Sequence, residues 1–442
     1  MQQYGRHYRD RWRYHLQRNP TKYDVRRGRL DYAGKWNSGR SGERANLVRN
    51  FHGDLMKLLI LLFILSIQAD AAYSFRRTIT LNANSAFLPS TQTNFPLMVK
   101  LDSSNAGTTM KAAGSGGHIQ NAACTQASGP AVTMPCDLIF TSDAGGSTKI
   151  PWEVENYDST GGTLWAHLLC ASCAQSAVLY MFYGDAAVST PQNTGSFTPS
   201  LVWTPASFIT VQHETDFNAL TDSADSNNAI RVSTTNTTGQ IDGGNLFVFT
   251  SAQFQDYGQS LSLAPNIVRF SAWVNGASFP QNYNAVVSRY VNGVVGGYEL
   301  MVRSTGKIAL YTADTAGNDI HYDSTGIATL SPSTWYHLAF TCAAGTITGY
   351  VNGVLDQTVT FGTLGFASTQ PNNTYVGISV FNNRQWDGVI DEVKWGSALP
   401  AVPADWFTAE YNNGLVPQTF SILGAETANV ASITRHKVIA GQ

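Results

Sequence analysis

A strictly alternating run that leads into a tight turn constrains the fold of this chain more than any other feature. In WYHLAFTC (335–342), every second residue is a large apolar residue or cysteine: Tyr336, Leu338, Phe340 and Cys342. This period of two predicts a β-strand with one buried face. Asn352 and Gly353 follow between two β-prone runs, where a two-residue turn needs positive φ at both central positions. The segment therefore predicts an antiparallel hairpin.

A second strand is predicted in DGVIDEVKWGSALP (387–400). Simple alternation would put Val389, Asp391 and Val393 on one face, and the opposite face would carry Ile390, Glu392 and Lys394. A carboxylate among hydrophobic residues needs a partner. Asp391 is therefore a candidate metal ligand or hydrogen-bond acceptor.

The composition favours β structure throughout. The chain has 442 residues, with 13% charged and 11% aromatic residues, and it contains no long amphipathic helical pattern. This length has room for two or three domains. We expect an all-β protein.

The charges are unevenly distributed along the chain. Residues 1–55 carry thirteen Lys and Arg against five Asp and Glu, whereas residues 72–442 carry fourteen against twenty-four. Nonspecific nucleic-acid binding depends on neutralising phosphates, so the acidic body argues against that class.

The first 71 residues are typical of a targeting sequence. Met56 and Lys57 precede the apolar run LLILLFILSI, and Ala69-Asp70-Ala71 has the spacing of a signal-peptidase site. We expect a signal peptide at 56–71, a mature start near Ala72, and no permanent membrane span, since the run is shorter than the roughly twenty residues needed. Residues 1–55 are either a basic arm or sequence upstream of a true start at Met56.

After the signal the chain divides near residue 200. The segments 211–229, 270–276, 286–312, 335–359 and 387–400 occur in the order of a laminin G-like, concanavalin A-like jelly roll. The second module, 201–426, resembles that family over its whole length. The resemblance implies an antiparallel jelly-roll sandwich whose members mostly bind ligands at a cell surface or outside the cell. The tail, 427–442, has no assignment.

The first module, 72–200, contains three strand-like segments at 94–104, 137–159 and 178–187. In this order, directly before a laminin G-like domain, they resemble a bacterial and phage module of unknown function. The resemblance implies a small β-sandwich and no activity of its own. We expect it to serve as a spacer or platform.

The resemblance to concanavalin A-like jelly rolls also implies a structural Ca²⁺ that joins the first and last strands. The matching positions are Asp391, Asp216 or Thr215, and Gly243 or Gly244. Carboxylate and carbonyl oxygens suit Ca²⁺. The alternative is that Asp391 only accepts hydrogen bonds from backbone amides.

Four of the five cysteines are grouped in two pairs. Cys124 and Cys136 bracket a loop, and Cys170 and Cys173 form a C-x-x-C sequence after a strand. In an exported protein two disulfides are favoured over a redox motif or a four-thiol zinc site, with Cys124–Cys136 the first expected pair. Cys342 is expected to be a buried, unpaired residue.

Catalysis finds little support in the sequence. Some relatives of the fold cleave glucans with three acidic residues on one strand. In the first module, Glu153, Glu155 and Asp158 weakly resemble that pattern. We interpret them as a solvated strand face, and we expect His213, His321 and His337 to lie at the surface or at strand edges.

Carbohydrate binding would need aromatic faces beside polar side chains. The candidates at loops and strand ends are Tyr283, Tyr290, Tyr311, Tyr322, Trp386, Asn318, Asp319 and Asn382. The sequence thus indicates a secreted or surface-displayed, non-catalytic protein that binds carbohydrate or an extracellular protein surface. The alternatives are a structural component of a virion, tail or cell envelope and, third, a glycoside hydrolase.

Overall fold

The computed structural model describes residues 73–215, 220–224, 227–263, 267–290, 297–313, 319–323, 328–343, 345–360, 373–379, 384–397, 402–403 and 405–429. All described residues belong to one compact unit, Ala69–Gln442. The predicted leader and signal peptide lie outside the described residues, as do Asp216, Asn318, Asn382 and most of the tail.

The first module is built from eight strands: β1 (Phe75–Leu81), β2 (Gln92–Leu101), β3 (Cys124–Thr125), β4 (Thr133–Met134), β5 (Leu138–Thr141), β6 (Trp152–Asp158), β7 (Thr163–Cys173) and β8 (Val178–Tyr183). One sheet contains the order β1-β8-β5, another the order β2-β7-β6, and β3 pairs with β4. Phe140 of β5 packs edge-on against Trp152 of β6, with ring centroids 5.3 Å apart. The two larger sheets therefore form the predicted small sandwich.

A short helix, α1 (Ser200–Trp203), leads into the second module. Its strands are β9 (Phe208–Gln212), β10 (Ile230–Val232), β11 (Thr235–Thr238), β12 (Gly243–Phe247), β13 (Phe254–Asp256), β14 (Val268–Gly276), β15 (Tyr283–Ser288), β16 (Tyr298–Arg303), β17 (Ile308–Ala313), β18 (Asp319–Asp323), β19 (Trp335–Ala343), β20 (Thr346–Val351), β21 (Val354–Thr360), β22 (Tyr375–Val376) and β23 (Gly388–Ser397). The chain continues into α2 (Trp406–Leu415), α3 (Pro417–Phe420), β24 (Ser421–Leu423) and β25 (Thr427–Ala428).

Two antiparallel sheets form the second sandwich. One has the order β10-β13-β22-β15-β16-β17-β18, and the other has the order β11-β12-β23-β14-β19-β20-β21, with β9 also paired to β23. Leu300 and Val302 of the first sheet share a core with Leu338, Phe340 and Cys342 of the second. Since alternate residues of β19 point into this core, the predicted alternation is confirmed. The fold is all-β, as expected.

The predicted hairpin turn is present between β20 and β21. Asn352 has φ of 51° and Gly353 has φ of 72°, which is the primed geometry that matches the twist of paired strands.

The face of β19 opposite the sandwich core is also buried. His337 and Ala339 are each 1% exposed, because the first module and α2 cover this side. Tyr350 packs on Phe407 of α2 with a centroid separation of 4.7 Å, and Phe95 of β2 packs on Trp406 at 5.1 Å. The prediction of a single buried face was therefore incomplete for this strand.

The end of the chain returns to the first module. β24 and β25 both pair with β1, so residues that the sequence assigned to the second module and to the tail complete a sheet of the first. The two modules also share one hydrophobic core, which contains Leu97, Trp203, Ala339 and Phe420. The first module is thus an integral part of one folded body, and its role as a spacer or platform stays a prediction.

A β-bulge in β23 changes which residues face the core. The register against β14 shifts between Ser271 and Trp273, and Glu392 has φ of 53°. Ile390, Val393 and Trp395 all enter the sandwich core, because a bulge inserts one extra residue into the alternation. The predicted grouping of Val389, Asp391 and Val393 on one face was therefore wrong.

Both predicted disulfides are present. Cys124 bonds to Cys136 and Cys170 to Cys173, with Cα–Cα distances of 5.2 and 5.3 Å. Cys342 is free and buried. No helix among the described residues is long and apolar enough to cross a membrane.

Candidate functional site

The outer face of the seven-stranded sheet brings together several of the predicted glycan-binding residues. Tyr283 of β15 is opposite Arg303 of β16, and Tyr311 of β17 is opposite His321 of β18. Val302, next to Arg303, and Leu310, next to Tyr311, point into the sandwich core. Because side chains alternate between the faces of a strand, these four side chains lie on the face away from the core.

An aromatic and cationic cluster forms on this face, and we call Tyr283, Arg303, Tyr311, His321 and Arg384 the Tyr283 patch. The guanidinium carbons of Arg303 and Arg384 lie 5.3 and 5.0 Å from the centroid of the Tyr283 ring. His321 stacks on Tyr311 with a centroid distance of 4.0 Å and an interplanar angle of 8°. Cations over aromatic faces are held by the ring quadrupole, so the patch is preorganised.

A buried carboxylate supports the patch from below. Arg384 donates a hydrogen bond to Glu299 Oε2 at 2.7 Å, and Glu299 is fully buried. Burial raises the pKa of Glu299, and the Arg384 guanidinium offsets part of that rise. Charge-assisted pairs of this kind fix the orientation of arginine.

Tyr290 lies on the same side, next to Asp319. Burial and the nearby Asp319 carboxylate both raise the pKa of the Tyr290 phenol. Tyr290 is 2% exposed and Tyr311 is 5% exposed, whereas Tyr283 is only half-buried and His321 is exposed. Tyr290 and Tyr311 therefore support the patch and do not offer free ring faces, which corrects their expected role.

Two other glycan candidates lie elsewhere. Trp386 is 1% exposed and belongs to the sandwich core, where it packs near Phe279 with ring centroids 6.1 Å apart. A ring inside the core cannot stack on a sugar, so this candidate was wrong. Tyr322 is opposite Leu310 in the sheet, and its side chain is outside the described residues. The sequence did not point to Arg303, Arg384 or His321.

Asp391 accepts hydrogen bonds from two backbone amides. Its Oδ2 lies 2.9 Å from the nitrogens of both Gln240 and Ile241. Burial and repulsion from Glu392 raise its pKa, and these amides only partly oppose the rise. The arrangement corresponds to the alternative that we considered for this residue.

One oxygen of Asp391 remains for a cation. Oδ1 is buried and has no hydrogen-bond partner among the described residues. A Cβ added to Gly239 would meet Asp391 and the Gly243 carbonyl, one added to Gly243 would meet Thr215, and one added to Gly244 would meet Val389. Thr215 and Gly243 also line an open cleft of about 480 Å³. The donor set fits the predicted Ca²⁺ at Asp391, Thr215 and Gly243, and calcium binding stays a prediction.

Seven ionisable side chains meet between the two modules, and we call them the interface cluster. They are Glu153, Glu155, His167, His213, Glu392, Lys394 and Glu410, and all are at least nine-tenths buried. The residues come from β6, β7, the end of β9, β23 and α2. Buried charges need partners, and these residues supply them for one another.

Hydrogen bonds hold the acidic residues of this cluster. Glu153 accepts from Trp203 Nε1 and Ser223 Oγ, both at 2.6 Å. Lys394 Nζ lies 2.9 Å from Glu392 Oε2 and 3.4 Å from Glu410 Oε1. The two hydrogen bonds to Glu153 join segments that are 50 and 70 residues apart in sequence.

The pKa values in the interface cluster diverge because of charge neighbours. Burial acts to raise the pKa of Glu392, but His213 and Lys394 outweigh it and hold the pKa well below its usual range. Burial and repulsion from Glu392 raise the pKa of Glu155. Burial opposes protonation of His213, but Glu392 and Glu155 raise its pKa well above normal.

The interface cluster corrects two expectations. Glu153 and Glu155 are 0% and 2% exposed, because the second module covers the outer face of β6; they are not a solvated face. His213 and His337 are buried rather than at the surface, whereas His321 is exposed as expected. The adjoining cavity is about 20 Å³, which is room for a water molecule or an ion and too small for a sugar ring.

Comparison with known proteins agrees with this architecture. The family model described as the concanavalin A-like lectin/glucanases superfamily, Laminin_G_3, matches residues 249–401. These residues form a laminin G-like domain. The match includes the Tyr283 patch and β23 but not the first module, whose resemblance to a module of unknown function stays a prediction. No curated protein matches the sequence.

Solved structures show weaker similarities to the fold. The binding domain of Paraclostridial Mosquitocidal Protein 1 matches with a TM-score of 0.40 and 12% identity, over 47% of this chain and 52% of that one. Domain 4 of AbnA, an extracellular arabinanase from Geobacillus stearothermophilus, in complex with arabinotriose, matches with a TM-score of 0.37 and 14% identity, over 47% and 98%. This chain thus spans about half the length of the first structure.

Proposed function

We propose that this protein is a secreted or surface-displayed binding protein that recognises carbohydrate, without catalysis, through the Tyr283 patch of its laminin G-like domain. The observation that carries the proposal is the half-buried Tyr283 ring, whose centroid lies 5.3 and 5.0 Å from the guanidinium carbons of Arg303 and Arg384. An aromatic ring face packs against the C–H groups of a sugar, while arginine donates hydrogen bonds to hydroxyl or carboxylate oxygens.

The support beneath the patch favours binding of a rigid ligand. Arg384 is anchored by Glu299, and Tyr311 is held between Tyr283 and His321. Groups that are already ordered lose little conformational entropy when a ligand binds.

The same proposal includes Ca²⁺, bound as a structural ion. Asp391, Thr215 and Gly243 would hold it at the edge of the eight-stranded sheet, away from the Tyr283 patch. Its loss on chelation would loosen the loop at 240–241, whose amides Asp391 holds.

A glycan array probed with the secreted, purified protein tests this function. The screen is run with Ca²⁺ and again with a chelator. We expect a restricted set of glycans to bind, and we expect Tyr283→Ala to abolish these signals while the protein remains folded by circular dichroism. Absence of glycan binding in both conditions, together with co-purification of an assembly partner, would contradict the proposal and favour a structural protein.

A further inference from the structure

Four side chains of the interface cluster form an arrangement that suits a transition-metal ion. Glu155 of β6, His167 of β7, His213 directly after β9 and Glu392 of β23 each offer one ligand atom, and these atoms all lie within 4.8 Å of one another. Each residue is no more than 2% exposed. This site is separate from the Tyr283 patch and from the calcium candidates.

Some distances between these ligand atoms are shorter, and others longer, than the distances between the ligand atoms of a bound metal ion. His167 Nε2 lies 3.0 Å from Glu155 Oε2, His213 Nδ1 lies 3.8 Å from the same oxygen, and His213 Nδ1 lies 2.5 Å from Glu392 Oε1. Bonds of about 2.0–2.1 Å from tetrahedral Zn²⁺ would place its ligand atoms about 3.3–3.4 Å apart. Shifts of less than about 1 Å would therefore produce the coordination geometry.

Polar atoms in the cluster lack partners, although they are buried. Glu155 Oε1 and His167 Nδ1 make no hydrogen bond within the described residues. Leaving such groups unsatisfied is costly. A cation bound by both oxygens of Glu155 would offset the cost at Oε1, and ligation by His167 Nε2 would fix the orientation of that ring.

The surrounding residues hold the four candidate ligands in place, as the outer shell of a metal site does. Glu153 Oε2 lies 3.5 Å from His213 Nε2, and Glu153 is itself held by Trp203 and Ser223. Lys394 holds the second oxygen of Glu392. A carboxylate behind a ligating histidine selects its tautomer and orientation.

We propose that Glu155, His167, His213 and Glu392 bind one Zn²⁺ or a similar first-row divalent cation that links the two modules. Two imidazoles with two carboxylates are the donor set that such ions accept. Two ligands come from each module, so the ion fixes how the first sandwich packs on the second. The competing state is a protonated His213 paired with Glu392 and no metal.

Metal analysis of the full-length protein tests the proposal. The protein is stripped with chelator, incubated with Zn²⁺ or Co²⁺, freed of excess ion and assayed for metal content. We expect one equivalent per chain and the visible absorption of tetrahedral Co²⁺. His167→Gln should lose both signals, whereas His337→Gln, a control at another buried histidine of the same interface, should retain them.

Two outcomes would overturn the proposal. If the folded wild-type protein retains no stoichiometric metal, the His213–Glu392 ion pair alone accounts for the arrangement of these side chains. Metal retained by His167→Gln would place the ion elsewhere. If His167→Gln fails to fold, X-ray absorption at the zinc edge of the wild type decides, because absence of histidine scattering from the bound ion would contradict the site.

Discussion

Asp143 shows how one side chain holds a connection between the two sheets of the first module. It lies in the turn between β5 and β6 and accepts hydrogen bonds from the amides of Gly145, Ser147 and Thr148. Burial would raise its pKa, but these donors outweigh it and lower the pKa from 3.8 to about 2. Its carboxylate therefore stabilises the fold above about pH 4, and this contribution is lost as the pH falls through about 2.

Replacement of Asp143 by Asn should destabilise the protein in a pH-dependent way. Because the side chain is only half-buried, we expect a loss of only about 1 kcal/mol in the free energy of unfolding at pH 7. The difference from wild type should shrink as the pH falls from 5 towards 2. Urea denaturation across this range measures it, and a pH-independent difference would show that the charge has no part in holding the turn.

Cys342 should be the one free thiol of the oxidised protein. It is 1% exposed, and burial raises its pKa, so the neutral thiol should not react while the protein is folded. A thiol reagent should label no cysteine in the native protein and one after denaturation without reductant. Three or five labelled thiols would contradict the pairings Cys124–Cys136 and Cys170–Cys173.

Individual residues were predictable where local spacing decides their role. The cysteine pairs and the buried side chain of Cys342 follow from short spacing and alternation. The burial of Glu153 and Glu155 does not, because it depends on a second module that covers β6. The sequence also did not predict that Glu153 and Glu155 lie beside His213, although His213 directly follows a strand that ends at Gln212.

At the scale of elements, β23 connects the sandwich core to both candidate ion sites. Its bulge turns Asp391 towards the 240–241 loop and Glu392 towards the first module, while Ile390 and Val393 stay in the core. The three-residue spacing between Ile390 and Val393 was the available signal for this bulge, since a regular strand would have placed apolar residues two apart.

The hairpin between β20 and β21 is tied to α2 through its glycine. A Cβ on Gly353 would lie 2.7 Å from Thr408 Cα and 2.8 Å from the Phe407 carbonyl oxygen. Gly353→Ala should therefore cost more than about 2 kcal/mol, because steric clash adds to the strain of a left-handed residue.

Gly258→Ala is the matched control for that substitution. Gly258 also has positive φ, at 66°, but no atom lies within 4 Å of an added Cβ, so strain alone should cost roughly 1 kcal/mol. Thermal or urea unfolding compares the two variants. Equal losses would show that the contact of the hairpin with α2 contributes nothing to stability.

At the scale of the whole molecule, the two sandwiches are joined by α2 as well as by the interface cluster. Asn413 of α2 donates to the Met98 carbonyl and accepts from the Met98 amide, both at 2.8 Å. Met98 lies on β2, the edge strand of its sheet, and the amide side chain caps its free backbone groups. Edge strands are commonly covered in this way.

Loss of this cap should destabilise both modules together. Asn413→Ala leaves two buried backbone groups unpaired and should cost about 2–4 kcal/mol. Asn412→Ala, which removes more exposed contacts to Ala86 and Phe87, should cost under about 1 kcal/mol. Calorimetry should show one shifted transition for Asn413→Ala, whereas two separate transitions would contradict a single folded body.

Sequence patterns predicted each sandwich but not the packing of one sandwich against the other. Alternation and turn chemistry are local, so strands such as β2, β19 and β23 could be located from the residues. The contacts of β24 and β25 with β1 join residues about 350 positions apart, and no periodicity reports them. The Tyr283 patch likewise required the register of four strands, which is why Arg303, Arg384 and His321 were missed.

The most direct test of the binding function is the dissociation constant for the strongest glycan found on the array. Isothermal titration compares wild type, Tyr283→Ala and Tyr180→Ala, a half-buried tyrosine of the first module. We predict at least about tenfold weaker binding for Tyr283→Ala, roughly 1.4 kcal/mol, and wild-type affinity for Tyr180→Ala. Unchanged affinity for Tyr283→Ala in a folded protein would contradict binding at the outer face of the seven-stranded sheet.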